Sequence, residues 1–174
     1  LIKFFFDGFI DMPKIDFNKH SYSVGRYPEA LKEFYEGITD SCRQIKAGDL
    51  AGLTQFGVNK VILPPKSGTS MRHWHENEDE FVIIISGLAT LVDNDGQHEL
   101  SAGDCAGFKA GDNNGHAILN YSDEDVILFE IGTRAEQEIV HYSDKDLKVD
   151  RKKIRGKNKV TFITKSGKIV FQPN

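Results

Sequence analysis

The residues whose side chains are most suited to chemistry lie in one short run, from His73 to Glu80, and at His116. His73 and His75 are two positions apart, so in a β-strand their side chains leave the same face and Trp74 leaves the other. A turn then lets Glu80 return on the next strand, and His116 follows on a later one. Imidazole nitrogens and a carboxylate oxygen are common ligands of divalent metals. The spacing therefore predicts a metal site formed by His73, His75, Glu80 and His116.

The alternative to a metal site is that these residues are ordinary surface histidines and acidic side chains without a function. A single His-X-His pair occurs by chance on many surface strands, and Glu76, Glu78 and Asp79 fit a solvated acidic turn. Glu80, however, directly precedes the apolar run Phe81 to Ile85, where a charge needs a reason and a metal would supply the counter-charge. The metal site is therefore favoured. The same parity argument predicts the candidate pocket residues, which are Met71, Val82, Ile84, Ile118 and Asn120. For Asn120 the alternative is a role in shaping a turn or strand.

Composition limits the class of protein. The chain has 174 residues, which suits one domain, and 39% hydrophobic and 28% charged residues, as soluble globular proteins have. A net charge of −4 gives no support for a nucleic-acid partner. The apolar start, Leu1 to Ile10, is about half as long as a bilayer requires, so we expect no membrane partner. Cys42 and Cys105 are far apart and indicate reduced thiols in a cytoplasmic protein, with Cys105 in the core.

Short strands bounded by turn residues follow one another through most of the chain, which predicts an all-β barrel or sandwich. Residues 28–46 are expected to form one helix outside it, because Leu31, Phe34, Tyr35 and Ile38 recur at helical spacing, and the alternative is a helix that ends at Gly37. Asp93 to Gly96 predicts a hairpin turn, and a C-terminal hairpin is expected over 160–171. The run Phe81 to Ile85 is expected to be covered on both faces, and residues 139–142 to form an edge strand.

The predicted organisation has four parts. These are an N-terminal arm (1–27) that packs on the barrel or on a second subunit, a helical segment (28–50), the β-barrel domain (51–143), and a basic loop with the C-terminal hairpin (144–174). The basic stretch 148–159 is interpreted as a solvated loop. The alternative is an anion-binding patch for nucleic acid or a phosphorylated ligand, but no helix-turn-helix pattern accompanies it.

The central stretch resembles the cupin superfamily, and small single-domain bacterial cupins in particular. The first cupin motif is matched from Gly68 through the histidine pair and Glu80 to Gly87, and the second from Gly103 through His116 to Asn120. There are two departures: Lys109 stands where proline is usual, and the loop before His116 is two residues longer. Both concern the shape of that loop and neither changes a ligand.

The resemblance implies a cupin-type (jelly-roll) β-barrel with one divalent metal on the four predicted ligands, and frequent homodimerisation. Iron, manganese, nickel, zinc and copper all occur in cupins, and the ligand set does not select among them. Four protein ligands leave coordination positions open, so the favoured function is a metal-dependent enzyme on a small molecule, either a dioxygenase or an isomerase or lyase. The alternative is a non-catalytic module that binds or senses a small ligand. The catalytic residues stay open, because no separate general base is evident.

Overall fold

The computed structural model describes residues 14–154 and 157–173. Over these residues the protein is mostly β-structure, as predicted. The helical elements are the 3₁₀-helices η1 (Phe17–Lys19) and η2 (Glu29–Leu31) and the α-helices α1 (Lys32–Tyr35) and α2 (Ala47–Leu50). The strands are β1 (Ser23–Val24), β2 (Arg43–Ile45), β3 (Phe56–Leu63), β4 (Ser67–Gly68), β5 (His73–His75), β6 (Glu80–Ser86), β7 (Ala89–Asp93), β8 (Gly96–Leu100), β9 (Cys105–Phe108), β10 (Ala117–Asn120), β11 (Val126–Thr133), β12 (Gln137–Tyr142), β13 (Lys148–Ile154), β14 (Lys157–Ile163) and β15 (Ile169–Phe171).

The strands form three antiparallel sheets. One has the order β1-β2-β3-β11-β6-β9, the second β4-β10-β7-β8, and the third β15-β14-β13-β12-β5. Alternate residues of the first two sheets point at one another and enclose the main apolar core, because side chains alternate between the faces of a strand. Its most deeply buried members are Val61, Leu63, Ile84, Ile118 and Leu128.

A second apolar cluster fixes the helical segment outside the barrel. Leu31 and Tyr35 pack there with Leu147, Val149 and Phe162 of the third sheet and its preceding turn. The predicted position of the helix, outside the barrel, is therefore right. The third sheet also connects to the barrel, because β5 pairs with β12 and His73 forms an isolated bridge with His116.

The helix is shorter than the predicted span 28–46 and ends close to the alternative end at Gly37. η2 and α1 together make one helical stretch of seven residues, Glu29–Tyr35. Glu36 and Gly37 then adopt φ values of 53° and 80°, a left-handed conformation that ends a helix. The rest of the predicted helix is a turn followed by β2, which pairs with β3. Long-range strand pairing therefore overrides the helical spacing of the apolar residues after Tyr35.

Three other expectations on strands and burial are wrong, and each for the same reason. Strand β6 is covered on one face only, since Phe81 is 41% and Ile85 48% exposed. Cys105 is exposed, because it pairs with Ile83, whose side chain leaves the same outer face of the sheet as Phe81 and Ile85. Strand β12 lies between β13 and β5 and is not an edge. Sequence composition does not reveal which strands neighbour one another, and neighbours decide burial.

The C-terminal region contains more regular structure than expected. The basic stretch forms the antiparallel strands β13 and β14, so the prediction of a solvated loop is wrong. The hairpin of β14 and β15 and the turn between β7 and β8 are confirmed. Of the arm, residues 1–13 lie outside the described residues, whereas Phe17 packs on Phe129 of the barrel with ring centroids 6.3 Å apart. Among the described residues, no helix is long and apolar enough to cross a bilayer.

Candidate metal centre and its cavity

Strands β5 and β6 and the residue before β10 bring the predicted ligands together. The Nε2 atoms of His73 and His75 each lie 3.5 Å from Glu80 Oε2, and His116 Nε2 lies 2.9 Å from the same oxygen. His73, His75 and Glu80 have ligand atoms that are all within 4.8 Å of one another, and His116 joins this group through Glu80. Adjacent ligands of a metal at 2.1 Å would be about 3 Å apart, so the spacing of His73, His75 and Glu80 fits a shared ion, and His116 adjoins them at Glu80.

The hydrogen bonds around His73 orient its ring for metal binding. His73 Nδ1 is 3.0 Å from the carbonyl oxygen of Met71 and 3.0 Å from Ser70 Oγ. A carbonyl oxygen can only accept, so the ring proton is on Nδ1 and the lone pair of Nε2 faces Glu80. This is the tautomer that a metal ligand requires.

His75 has a different environment, with no hydrogen-bond partner on either buried ring nitrogen. Its Nδ1 faces two carboxylates, at 3.7 Å from Glu138 Oε1 and 3.9 Å from Glu78 Oε2. Glu138 has no exposed side-chain surface and accepts hydrogen bonds from the backbone N–H groups of Glu76 and Asn77. Glu138 therefore anchors the turn after β5 and presents negative charge to the outer side of the His75 ring.

The electrostatics of the cluster favour a cation. Burial would raise the pKa of Glu80, but the neighbouring imidazoles of His116 and His73 hold it well below its usual range. Burial lowers the pKa of His116 in spite of its bond to Glu80. Burial opposes a rise at His75, yet Glu138, Glu80 and Glu78 raise its pKa above the ordinary value. The ionised carboxylate of Glu80 and three buried imidazoles are a donor set that divalent metals favour, so the residues present fit such an ion.

The cluster forms one wall of a cavity of about 440 Å³. Val82 and Ile118, two of the predicted pocket residues, line this cavity together with all four predicted ligands. Ile84 lies deeper, in the barrel core. Met71 lines a different cavity, beside Phe34 of α1. Asn120 is fully buried and donates to the carbonyl oxygens of Leu63 and Glu124, so it shapes the turn after β10.

Several polar residues of the cavity were missed from the sequence. Arg26 and Tyr27 come from the N-terminal segment and Arg151 from the basic stretch, and no local pattern marks them as cavity residues. Glu130 did carry a signal, because it continues the inward-facing series Val126 and Leu128 in an otherwise apolar strand. A charge at an inward-facing position is rarely accidental.

The remaining histidines lie outside the cluster. His141 stacks on Trp74 with ring centroids 4.1 Å apart and bonds to Glu76, which confirms that Trp74 leaves the face opposite to His73 and His75. His20 and His98 are exposed, and His98 bonds to Asp93 in the hairpin turn. Tyr121, the neighbour of the buried Asn120, is 59% exposed.

Comparisons with known proteins agree with this architecture. The family model of the cupin domain (Cupin_2) matches residues 59–132. A crystal structure from Silicibacter pomeroyi DSS-3, described as a sugar phosphate isomerase from a cupin superfamily, shares 38% identity with a TM-score of 0.80, over 90% of this chain and 95% of that chain. No curated protein matches the chain significantly.

Two further solved structures are more distant. One from Acidithiobacillus ferrooxidans ATCC 23270, whose assignment as a sugar phosphate isomerase is provisional, shares 27% identity with a TM-score of 0.63, over 69% of this chain and 75% of that chain. A protein from Thermotoga maritima, described as a predicted oxalate decarboxylase, shares 18% identity with a TM-score of 0.55, over 70% of this chain and 99% of that chain, and supports the fold alone. The fold, the matched domain and the similarity over nearly the whole chain together show that this protein belongs to the cupin superfamily.

Proposed function

We propose that this protein is a metal-dependent cupin enzyme that isomerises a phosphorylated sugar. The observation that carries the proposal is the convergence of three imidazole nitrogens on Glu80 Oε2, at 2.9–3.5 Å, in the wall of a cavity with further polar groups. The similarity over 90% of the chain to a protein described as a sugar phosphate isomerase supports the choice of reaction.

The proposed metal ligands are His73, His75, Glu80 and His116. The ion would be iron, manganese, nickel or zinc, because each of them accepts imidazole and carboxylate ligands. When bound, such an ion polarises a carbonyl or hydroxyl oxygen of the substrate and stabilises negative charge that develops there. The protein holds the ligands ready: Ser70 and Met71 orient His73, and Phe108 stacks on His116 with ring centroids 3.4 Å apart.

The size and charge of the cavity suit a small anionic molecule. Its volume of about 440 Å³ is in the range of small-molecule sites. Arg26 and Arg151 balance Glu80 and Glu130, so the four charged residues sum to zero and a divalent ion would make the cavity positive by two units. Both guanidinium groups are partly neutralised, Arg151 by its ion pair with Glu78 and Arg26 by its ion pair with Glu130.

The test is turnover by protein reconstituted with each metal. Aldose and ketose phosphates of three to six carbons are incubated with apoprotein and with each metal form, and NMR spectroscopy follows their interconversion. We expect isomerisation that requires a metal and is lost in His75→Ala. Oxygen consumption without isomerisation would indicate a dioxygenase instead, and a ligand that raises the melting temperature without being converted would indicate a binding module. Homodimerisation stays an expectation from the family, which sedimentation velocity tests.

A further inference from the structure

We propose that Glu130 is the residue that transfers the proton in this cavity, held in place by Arg26. The proposal rests on the proposed function, because it assigns a role in the isomerisation suggested above. It concerns a carboxylate that is separate from the metal ligands and that the family motifs do not include.

The position of Glu130 relative to the metal cluster follows from the strand register. Gly132 of β11 pairs with Glu80 of β6, and Glu130 pairs with Val82. A Cβ on Gly132 would lie 3.6 Å from Glu80 Cγ, so the backbone of β11 approaches the cluster closely there. Glu130 is two residues further along the same face, about 7 Å from Gly132 by the rise of an antiparallel strand. Glu130 and the cluster line the same cavity of about 440 Å³, which has room for a substrate of a few carbon atoms.

Arg26 orients the Glu130 side chain but bonds to only one of its two carboxylate oxygens. Arg26 Nη2 donates to Glu130 Oε2 at 2.8 Å, and the two side chains are only 18% and 16% exposed. Among the described residues, Glu130 Oε1 has no hydrogen bond. Glu130 therefore retains one carboxylate oxygen as a free acceptor, which a purely structural ion pair would be expected to satisfy.

The other acidic groups of the cavity are less suited to the task. Glu80 Oε2 faces the three imidazoles and is the proposed metal ligand. Burial raises the pKa of Tyr27 to about 12, and burial also raises that of Tyr142, so both phenols keep their protons near neutral pH. Glu130 is thus the carboxylate in the cavity that remains for proton transfer.

The step balances without a further reactant. A Glu130 oxygen takes the proton from the carbon beside the substrate carbonyl, and the electron pair of the broken C–H bond forms the C=C bond of an enediolate. The proton of the hydroxyl group on the deprotonated carbon passes to the former carbonyl oxygen. The protonated Glu130 then returns its proton to the former carbonyl carbon, and the new carbonyl forms on the carbon that lost its proton. The substrate keeps all its atoms, and the carboxylate ends as it began.

The test compares Glu130→Gln with the wild-type metal-loaded protein in D₂O. Glutamine keeps an oxygen for Arg26 but cannot take a proton near neutral pH. NMR spectroscopy measures both turnover of the sugar phosphates and deuterium incorporation at the carbon beside the carbonyl. We expect both rates to fall by about 10²–10⁴-fold, the range for removal of a general base. We expect unchanged metal content, a KM within a few-fold of the wild type, and partial activity in Glu130→Asp.

Glu99→Gln is the matched control, because Glu99 is exposed on β8, away from the cavity, and should retain wild-type rates. Equal melting temperatures and metal contents separate a chemical effect from loss of folding. If the wild-type protein isomerises a sugar phosphate and Glu130→Gln does so at the same rate, the role of Glu130 is wrong and the proposed function stands. If the wild-type protein converts none of them with any metal, the proposed function fails and this assignment fails with it.

Discussion

The two ends of the barrel interior have opposite chemistry although the same strands build them. Strand β6 has Glu80 at one end and Ile84 nearer the other, and β11 has Glu130 one inward position after Leu128. His116 likewise lies one inward position before Ile118. One end is therefore an apolar core and the other a polar cavity with a candidate metal centre.

The difference indicates that one end of the barrel stabilises the fold and the other holds the groups that could do chemistry. The apolar end buries side chains that are 0–1% exposed, and such burial stabilises the fold. The polar end holds buried acidic and basic groups whose desolvation opposes folding unless a partner compensates it. We therefore expect the apolar end to supply most of the stability of the metal-free protein and the polar end to determine metal binding. Four predictions test this division, from the largest expected effect to the smallest.

Shortening Ile84 should have the largest effect on folding. Ile84 is 1% exposed, and Ile84→Ala should lower the free energy of unfolding by about 2–5 kcal/mol, because it leaves a cavity in the core. Urea unfolding of the metal-free protein measures the change. Ile169→Ala is the control, since Ile169 is 61% exposed and its truncation should change stability by less than about 0.5 kcal/mol. Equal effects of the two substitutions would show that the apolar end is not the stabilising one.

Removal of a proposed ligand should affect metal binding rather than folding. His75→Ala should weaken metal affinity by more than roughly 100-fold, since even residues that only support ligands contribute 10–100-fold. The melting temperature of the metal-free protein should fall far less than in Ile84→Ala. Isothermal titration calorimetry with the preferred metal measures the affinity, and His98→Ala, at an exposed histidine, serves as control. Wild-type affinity in His75→Ala would contradict the ligand set.

Glu138 should matter less, and through His75. Glu138→Gln removes the negative charge 3.7 Å from His75 Nδ1, so metal affinity should fall by about tenfold. Some loss of stability is also expected, because the backbone N–H groups of Glu76 and Asn77 lose one carboxylate acceptor. Glu136→Gln, at an exposed neighbour, should change neither quantity. A drop in stability with no change in metal affinity would assign Glu138 a purely structural role.

Lowering the pH should reduce the free energy of unfolding of the metal-free protein, because His116 and Glu80 in the polar cavity take up protons. The pKa of His116 is lowered by burial and that of Glu80 by the neighbouring imidazoles, so both bind protons more readily in the unfolded chain. Stability should therefore fall as the pH drops below the ordinary value of 6.5 for His116, and further below 4.5 for Glu80. His75 has the opposite sign, because its raised pKa favours folding at low pH and that contribution fades as pH rises.

Urea unfolding as a function of pH measures this dependence. In Glu80→Gln the fall below pH 4.5 should become shallower, because the group responsible no longer titrates. Ile84→Ala should shift the whole curve down without changing its shape. A curve for Glu80→Gln that is parallel to the wild type would show that other carboxylates cause the acid effect.

Much of the candidate site could be predicted, because strand parity is local. The alternation of side chains places His73 and His75 on one face and Trp74 on the other, and the structure agrees. Predictions that needed the identity of neighbouring strands were less successful. Cys105 was expected in the core and is exposed, and the helix predicted over 28–46 ends at Tyr35.

The sequence by itself determined the strand-rich fold and the group of residues that could hold a metal, since both depend on spacing over a few residues. Only the tertiary structure brought Arg26 to Glu130, residues 104 positions apart, and Arg151 to Glu78. It also divided the interior into an apolar end and a polar cavity. These outcomes depend on which strands pair and in which register, and that choice is set by burial and hydrogen bonding summed over the whole chain.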